Sequence, residues 1–121
     1  MTRKVLVVDD EFGIAELIDA VLTDEGYRVL TAMNGRQGLA VMAKEHPDLV
    51  FLDYMMPIMD GADVLRIMTS NTDLAGIPVV LMSSMPEPTV AERCSGYSVF
   101  MSKPFRIAQV LTLAQNLLRR A

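Results

Sequence analysis

Cys94 is the only cysteine, and tryptophan is absent. A lone thiol excludes an intramolecular disulfide and any metal site built from several thiolates, and it makes the cytoplasm the expected compartment. Basic residues are also sparse: the densest Lys/Arg clusters are the pairs Arg3-Lys4 and Arg119-Arg120, in a chain of net charge −4. Such a surface mostly repels an anionic backbone, so nucleic acid is not expected as a direct partner. No apolar segment approaches the roughly 20 residues needed to cross a bilayer, so no membrane partner is expected. The opening Met1-Thr2-Arg3-Lys4 leads into a short apolar run rather than a signal peptide. No repeat, low-complexity tract or linker interrupts the chain, and residues 1–121 are read as one domain.

What is present is an apolar content of 51%, enough for a core, arranged in two alternating periods. Val5 to Val8 is a continuous apolar run, the pattern of a parallel strand covered on both faces. Ile14, Leu17, Ile18, Val21 and Leu22 then fall on one helical face, and Gly26 fits a helix stop. Arg28 to Ala32 reads as a second strand, and Asn34 as the cap of a helix running to about Glu45, stopped because His46 precedes Pro47. Leu49 to Leu52 is a third strand closed by Asp53; after a proline-bearing loop, Asp60 or Gly61 opens a helix that turns Val64, Leu65 and Met68 inward. Pro78 to Met82 is a fourth strand ending in Ser83-Ser84, followed past Pro86 and Pro88 by a short helical segment up to about Ser95. A fifth strand ends at Ser102 or Lys103. In the last helix Ile107, Val110, Leu111, Ala114, Leu117 and Leu118 form one stripe, and Arg119 and Arg120 complement its dipole. Strands alternating with helices at this spacing are right-handed βαβ units. The expected fold is therefore α/β: a flavodoxin-like, doubly wound (βα)5 domain with a five-stranded parallel sheet in the order 2-1-3-4-5.

In such a sheet, ligands bind beyond the carboxyl ends of the strands, in the crevice between strands one and three. Those two strands end in acids, Asp9 and Asp10 after the first and Asp53 after the third. Three carboxylates about 4 Å apart repel by on the order of 10 kcal/mol in total at an effective dielectric of about 20. A hard divalent cation answers that repulsion: Mg²⁺, or Mn²⁺, prefers one or two carboxylates, several waters and a phosphate. Lys103, at the end of strand five, offers a further positive charge, and Ser83 adds a hydroxyl on the same rim. A carboxylate beside a metal and a lysine suits attack on a phosphoryl group, because carboxylates attack phosphorus poorly unless its oxygens are neutralised.

The quoted segments "VLVVDDE", "PDLVFLDYMMPIMDG", "PVVLMSS" and "VFMSKPF" resemble, in this order and spacing, the response-regulator receiver domains of two-component signalling, of the chemotaxis-regulator type. The resemblance covers essentially the whole chain. It implies a phosphorylation-dependent regulator, catalysing its own phosphoryl transfer and dephosphorylation, with Asp53 accepting phosphate from a histidine kinase or phosphotransfer protein. It further implies Asp10 as a direct Mg²⁺ ligand, Asp9 acting largely through water, and the backbone carbonyl of Met55 as another ligand. Ser83 and Lys103 would each hold a phosphoryl oxygen, Phe100 would turn inward on activation, and the Lys103-Pro104 peptide would be cis. The output would be a downstream protein target or an effector domain. Two departures stand out: the proline-bearing stretch from Ser83 to Gly96 is short, which predicts a reduced fourth helix, and Ser84 stands where the family more often has alanine or glycine.

Taken singly, these residues have plainer readings: Ser83 as loop polarity, Lys103 as a solvated charge, Phe100 as core. His46 reads as a surface histidine at a helix end, Cys94 as a structural thiol, and the ten methionines as packing, with Met85 and Met101 as exceptions at a partner-binding face. Two rival functions remain in view. A small phosphohydrolase with an aspartyl nucleophile wants Asp-x-Asp after strand one, whereas here the sequence is Asp-Asp-Glu. A flavodoxin-like FMN carrier wants a Ser/Thr/Gly-rich phosphate loop where three acids stand.

Overall fold

A computed structural model describes residues 2–119; Arg120, predicted to complement the last helix, lies outside the described residues. The elements run in chain order β1 (Lys4–Val8), α1 (Phe12–Asp24), β2 (Arg28–Ala32), α2 (Gly35–Glu45), β3 (Leu49–Asp53) and α3 (Gly61–Thr69). They continue with β4 (Val79–Ser83), α4 (Glu87–Ala91), β5 (Val99–Ser102) and α5 (Ile107–Arg119). All strand pairs are parallel and the order is β2-β1-β3-β4-β5, as expected for a flavodoxin-like domain.

The continuous apolar runs are explained by burial on both faces of the sheet. In β1, Val5 and Val7 point into one cluster with Ile18 and Leu22 of α1 and Val110 and Ala114 of α5. Leu6 and Val8 point the other way, onto Met42 of α2, Val64 and Met68 of α3 and Val90 of α4. Helix ends follow local chemistry. Gly26, with φ +93°, completes α1: its N–H donates to the Thr23 carbonyl and that of Tyr27 to the Leu22 carbonyl, a Schellman pair. Asn34 caps α2 by accepting the Gln37 N–H at 2.8 Å, and α2 stops at His46, which adopts φ +48°. Asp60 and Asp63 form a reciprocal capping box at the start of α3.

Several expectations need correction. Leu17 and Ile107 leave their predicted stripes, at 40% and 50% exposure. The buried line of α1 runs through Ala15, Ile18 and Leu22, so Leu17 falls to its side, and Ile107 is the first residue of α5. Strand β4 is displaced by one residue from the expected Pro78–Met82, which brings Ser83 into the sheet. Met101 is core at 2% exposure and cannot be part of a partner face; Met85 is half-buried. Helix α4 is reduced as expected, to five residues, with Pro86 at its N-cap and Pro88 in its first turn. No helix among the described residues is long and apolar enough to cross a membrane.

Candidate functional site

The site is built where the strands run out. Packing fixes Val5 to Val8 so tightly that the next residue cannot turn away, and the ladder continues one step: the Asp9 N–H donates to the Ala32 carbonyl at 3.1 Å. Asp9 Oδ1 then accepts the Glu11 N–H at 2.8 Å, an Asx turn that feeds the chain into α1. Asp53, the last residue of β3, is only 3% exposed, and Asp9 is fully buried, while Asp10 faces solvent. Carboxylate oxygens of Asp9, Asp10 and Asp53 all lie within 4.8 Å of one another, the predicted convergence.

Lys103 is the hub of this cluster rather than a surface charge. Its side chain is 12% exposed, and Nζ donates to Asp9 Oδ2 at 2.9 Å, Glu11 Oε1 at 3.0 Å and Asp53 Oδ1 at 3.2 Å. Its backbone N–H donates to the Ser83 carbonyl at 2.9 Å, and the Lys103-Pro104 peptide is cis, as expected. Burial alone would lower the Lys103 pKa, but the Asp9 hydrogen bond, the Asp53 charge and the Glu11 hydrogen bond outweigh it, so the ammonium is held above its ordinary value. Glu11 carries no role in the sequence reading. The third acid of "DDE" at a helix start was the available signal, but its pairing with a lysine 92 residues away depends on tertiary structure.

Asp53 is driven toward its neutral form. Burial, then the charge of Asp9, push its carboxyl up from 3.8 to about 7, although Lys103 opposes both. Below the unfolded value the proton is bound in both states. As pH rises from about 4 toward 7 only the folded state still holds it, so this group's contribution to the stability of the metal-free protein is lost across that window. An Asp53→Asn variant should lack the slope. In chelator its melting temperature should match wild type near pH 4 and exceed it by several degrees at pH 8. Parallel melting curves across that range would refute the assignment.

The remaining predicted residues are arranged less uniformly. Ser83 is buried at the end of β4, one strand from Asp53, but its Oγ accepts the Met85 N–H at 3.0 Å. Phe100 is half-buried on β5, paired in register with Leu81, its ring centroid 6.4 Å from that of Tyr97. Tyr97, unremarked in the sequence, also donates its hydroxyl to Glu87 of α4 at 3.1 Å. The Met55 side chain is 57% exposed, so any role in the cluster falls to its backbone.

Four carboxylates therefore face one ammonium at this edge. The donor set is all oxygen, with Asp9 fully buried and Asp10 open to solvent, a combination that fits a hard divalent cation keeping part of its water shell.

Comparison with known proteins agrees with this geometry. Residues 5–115 match the family described as response regulator receiver domain. The chain is 37% identical over 98% of its length to the probable transcriptional regulator ycf27 of Pyropia yezoensis, covering 49% of that protein. It is also 37% identical over 91% of its length to the sporulation initiation phosphotransferase F of Bacillus subtilis, covering 89% of it. The chain thus spans about half the length of the first of these relatives. Among solved structures, the chemotaxis response regulator CheY4 of Vibrio cholerae superposes with a TM-score of 0.90 at 28% identity, over 98% of this chain and 100% of the other.

Proposed function

The chain belongs to the response-regulator receiver family of two-component signalling, and from that premise we propose that Asp53 is its phosphoacceptor and that residues 1–121 act as one switch domain. The observation that carries this reading is the convergence of Asp9, Asp10 and Asp53 within 4.8 Å, with Lys103 bonded to two of them. Neither a metabolic phosphohydrolase nor a flavin carrier is favoured by any feature of the site.

The chemistry runs through this chain's own groups. One Asp53 oxygen forms the new P–O bond as the P–N bond to the donor imidazole breaks. The imidazole nitrogen takes the electron pair and a proton from solvent, and an acyl phosphate results. Lys103, already 3.2 Å from Asp53, exchanges a carboxylate oxygen for a phosphoryl oxygen. Asp10, Asp9, Asp53 and the Met55 carbonyl would hold a Mg²⁺ or Mn²⁺ ion, which when bound supplies neutralising charge to the phosphoryl oxygens.

Phosphorylation raises the local charge to about −1.5 to −2 and adds three acceptor oxygens. The Ser83 hydroxyl would leave the Met85 N–H and donate to one of them. A charge-assisted bond of roughly 1.5–3 kcal/mol would shift a two-state loop by about ten- to a hundredfold. Phe100 would then follow the loop inward. Upstream lies a histidine kinase or phosphotransfer protein; downstream lies a protein target or an effector domain, in the cytoplasm. The Bacillus relative is a sporulation initiation phosphotransferase and the Pyropia one a probable transcriptional regulator.

The test is direct. Incubated with Mg²⁺ and phosphoramidate, the wild type should gain one phosphoryl group, located by mass spectrometry on Asp53, and Asp53→Asn should remain at background. A label on any other residue of the wild type overturns the assignment.

A further inference from the structure

Glu11 stands at the N-cap of α1, yet its side chain makes no capping hydrogen bond to that helix. The caps of α2 and α3 behave otherwise: Asn34 accepts the Gln37 N–H at 2.8 Å and Asp60 the Asp63 N–H at 2.9 Å. Free N–H groups and the helix dipole favour a carboxylate at a helix start, so a side chain that turns away forgoes a stabilising contact. Glutamate is longer than the residues that cap well, and here the extra length carries Oε1 to Lys103 Nζ at 3.0 Å.

That ion pair differs from the two beside it. An ammonium has three N–H donors, and Lys103 commits all three, to Asp9 at 2.9 Å, Glu11 at 3.0 Å and Asp53 at 3.2 Å. A phosphoryl group on Asp53 brings about −1.5 to −2 charge and three acceptor oxygens, and Lys103 can serve them only with donors released elsewhere. The Asp53 donor passes to the phosphoryl group as it forms. Asp9 is fully buried, so losing the ammonium would leave it as an uncompensated charge. The Glu11 side chain is 62% exposed, so water replaces the ammonium there with little penalty. Glu11 also stands apart from the trio of Asp9, Asp10 and Asp53 whose oxygens converge.

We propose that Glu11 is a positioning residue that restrains Lys103: its ion pair withholds one ammonium donor from the phosphoryl group and so slows phosphorylation of Asp53. The inference rests on the reading of Asp53 as phosphoacceptor. Glu11 acts through the lysine rather than on the reacting atoms. Releasing it gives Lys103 a second N–H to direct at the phosphoryl oxygens as negative charge builds on them.

Two substitutions separate this restraint from a general effect of charge. Glu11→Gln keeps the length and removes the charge. Glu11→Asp keeps the charge, but its carboxylate falls one methylene short of the ammonium and is a preferred cap for α1. With phosphoramidate at saturating Mg²⁺, the rate of Asp53 labelling followed by mass spectrometry should rise about two- to fivefold in both variants, the worth of an exposed ion pair. A gain in rate cannot come from a misfolded fraction, which only lowers it. The Mg²⁺ dissociation constant from calorimetric titration should stay within about twofold of wild type, because the restraint acts on Lys103 and not on the ion.

A rate at or below that of wild type in either variant overturns the proposal. If Glu11→Asp alone fails to gain, charge by itself repels the anionic donor and no restraint on Lys103 is needed. A gain accompanied by a larger change in Mg²⁺ affinity also overturns it, by moving the effect to the metal. Absence of label from Asp53 in the wild type defeats the phosphoacceptor reading itself, whereas equal labelling of Asp53 in all three proteins defeats the restraint alone.

Discussion

Replacing Lys103 with alanine is expected to cost the metal-free protein about 3–5 kcal/mol at neutral pH, the penalty for leaving buried carboxylates without their cation. The melting temperature in chelator should fall by on the order of 10 °C or more. The size follows from the geometry: one ammonium serves three carboxylates, of which Asp9 is fully buried and Asp53 nearly so. Two conditions should restore part of the loss. Saturating Mg²⁺ supplies substitute charge, and lowering the pH protonates Asp53 and removes one of the repelling groups, at a higher pH than in the wild type because Lys103 no longer holds that carboxyl down. Lys103→Arg should rescue poorly, because a planar guanidinium fork cannot reproduce a compact ammonium meeting three acceptors from different directions. A Lys103→Ala protein that melts in chelator like wild type would show that the cluster is neutralised by other means.

Gly61→Ala should be nearly as damaging for a purely steric reason. A Cβ at this position would lie 2.8 Å from the Tyr54 Cα and 2.9 Å from the Asp53 carbonyl oxygen, both backbone atoms that cannot rotate aside. The Gly61 N–H also donates to the Tyr54 carbonyl at 2.8 Å, closing the loop that follows the acidic cluster. Forcing these strands of backbone apart should cost about 2–3 kcal/mol in denaturant unfolding. Because the displaced atom belongs to Asp53 itself, phosphoramidate labelling should slow as well. Gly76→Ala, where no atom lies within 4 Å of the added carbon, is the matched control. Equal unfolding midpoints for the two variants would mean that the close approach behind Asp53 does not exist in solution.

Much of the molecule is legible in the sequence. Val5 to Val8 and Leu49 to Leu52 declare themselves as buried strands because unbroken apolar runs of that length have few other solutions, and alternation with helices gives a parallel α/β sheet, of which the order found is the flavodoxin-like case. Once that order is accepted, Asp9, Asp10 and Asp53 must meet, and they do. Helix faces were read less well. Leu17 and Ile107 fit a periodic stripe, but a stripe does not say how far the neighbouring sheet extends, and both side chains overhang it. In the sequence Met101 fits a contact face as well as a core, because methionine is common in both settings; only its place on a strand between two layers makes it core.

The site shows the same division. That an acidic pair, a lone aspartate, a serine and a lysine belong together came from four short motifs, and chemistry sufficed to give them tasks. That Lys103 is buried and shared with Glu11 and that Asp53 is pushed toward neutrality are consequences of proximity between residues far apart in the chain. Ile58 is the sharpest case, since its composition and neighbours are unremarkable and only its backbone angle and complete exposure set it apart. Periodicity and motif order determined which residues are buried and which chemistry is possible, because both are local properties of side chains. Charge balance and backbone strain were decided by the folded structure, because electrostatic and steric energies depend on distances that no spacing along the chain specifies.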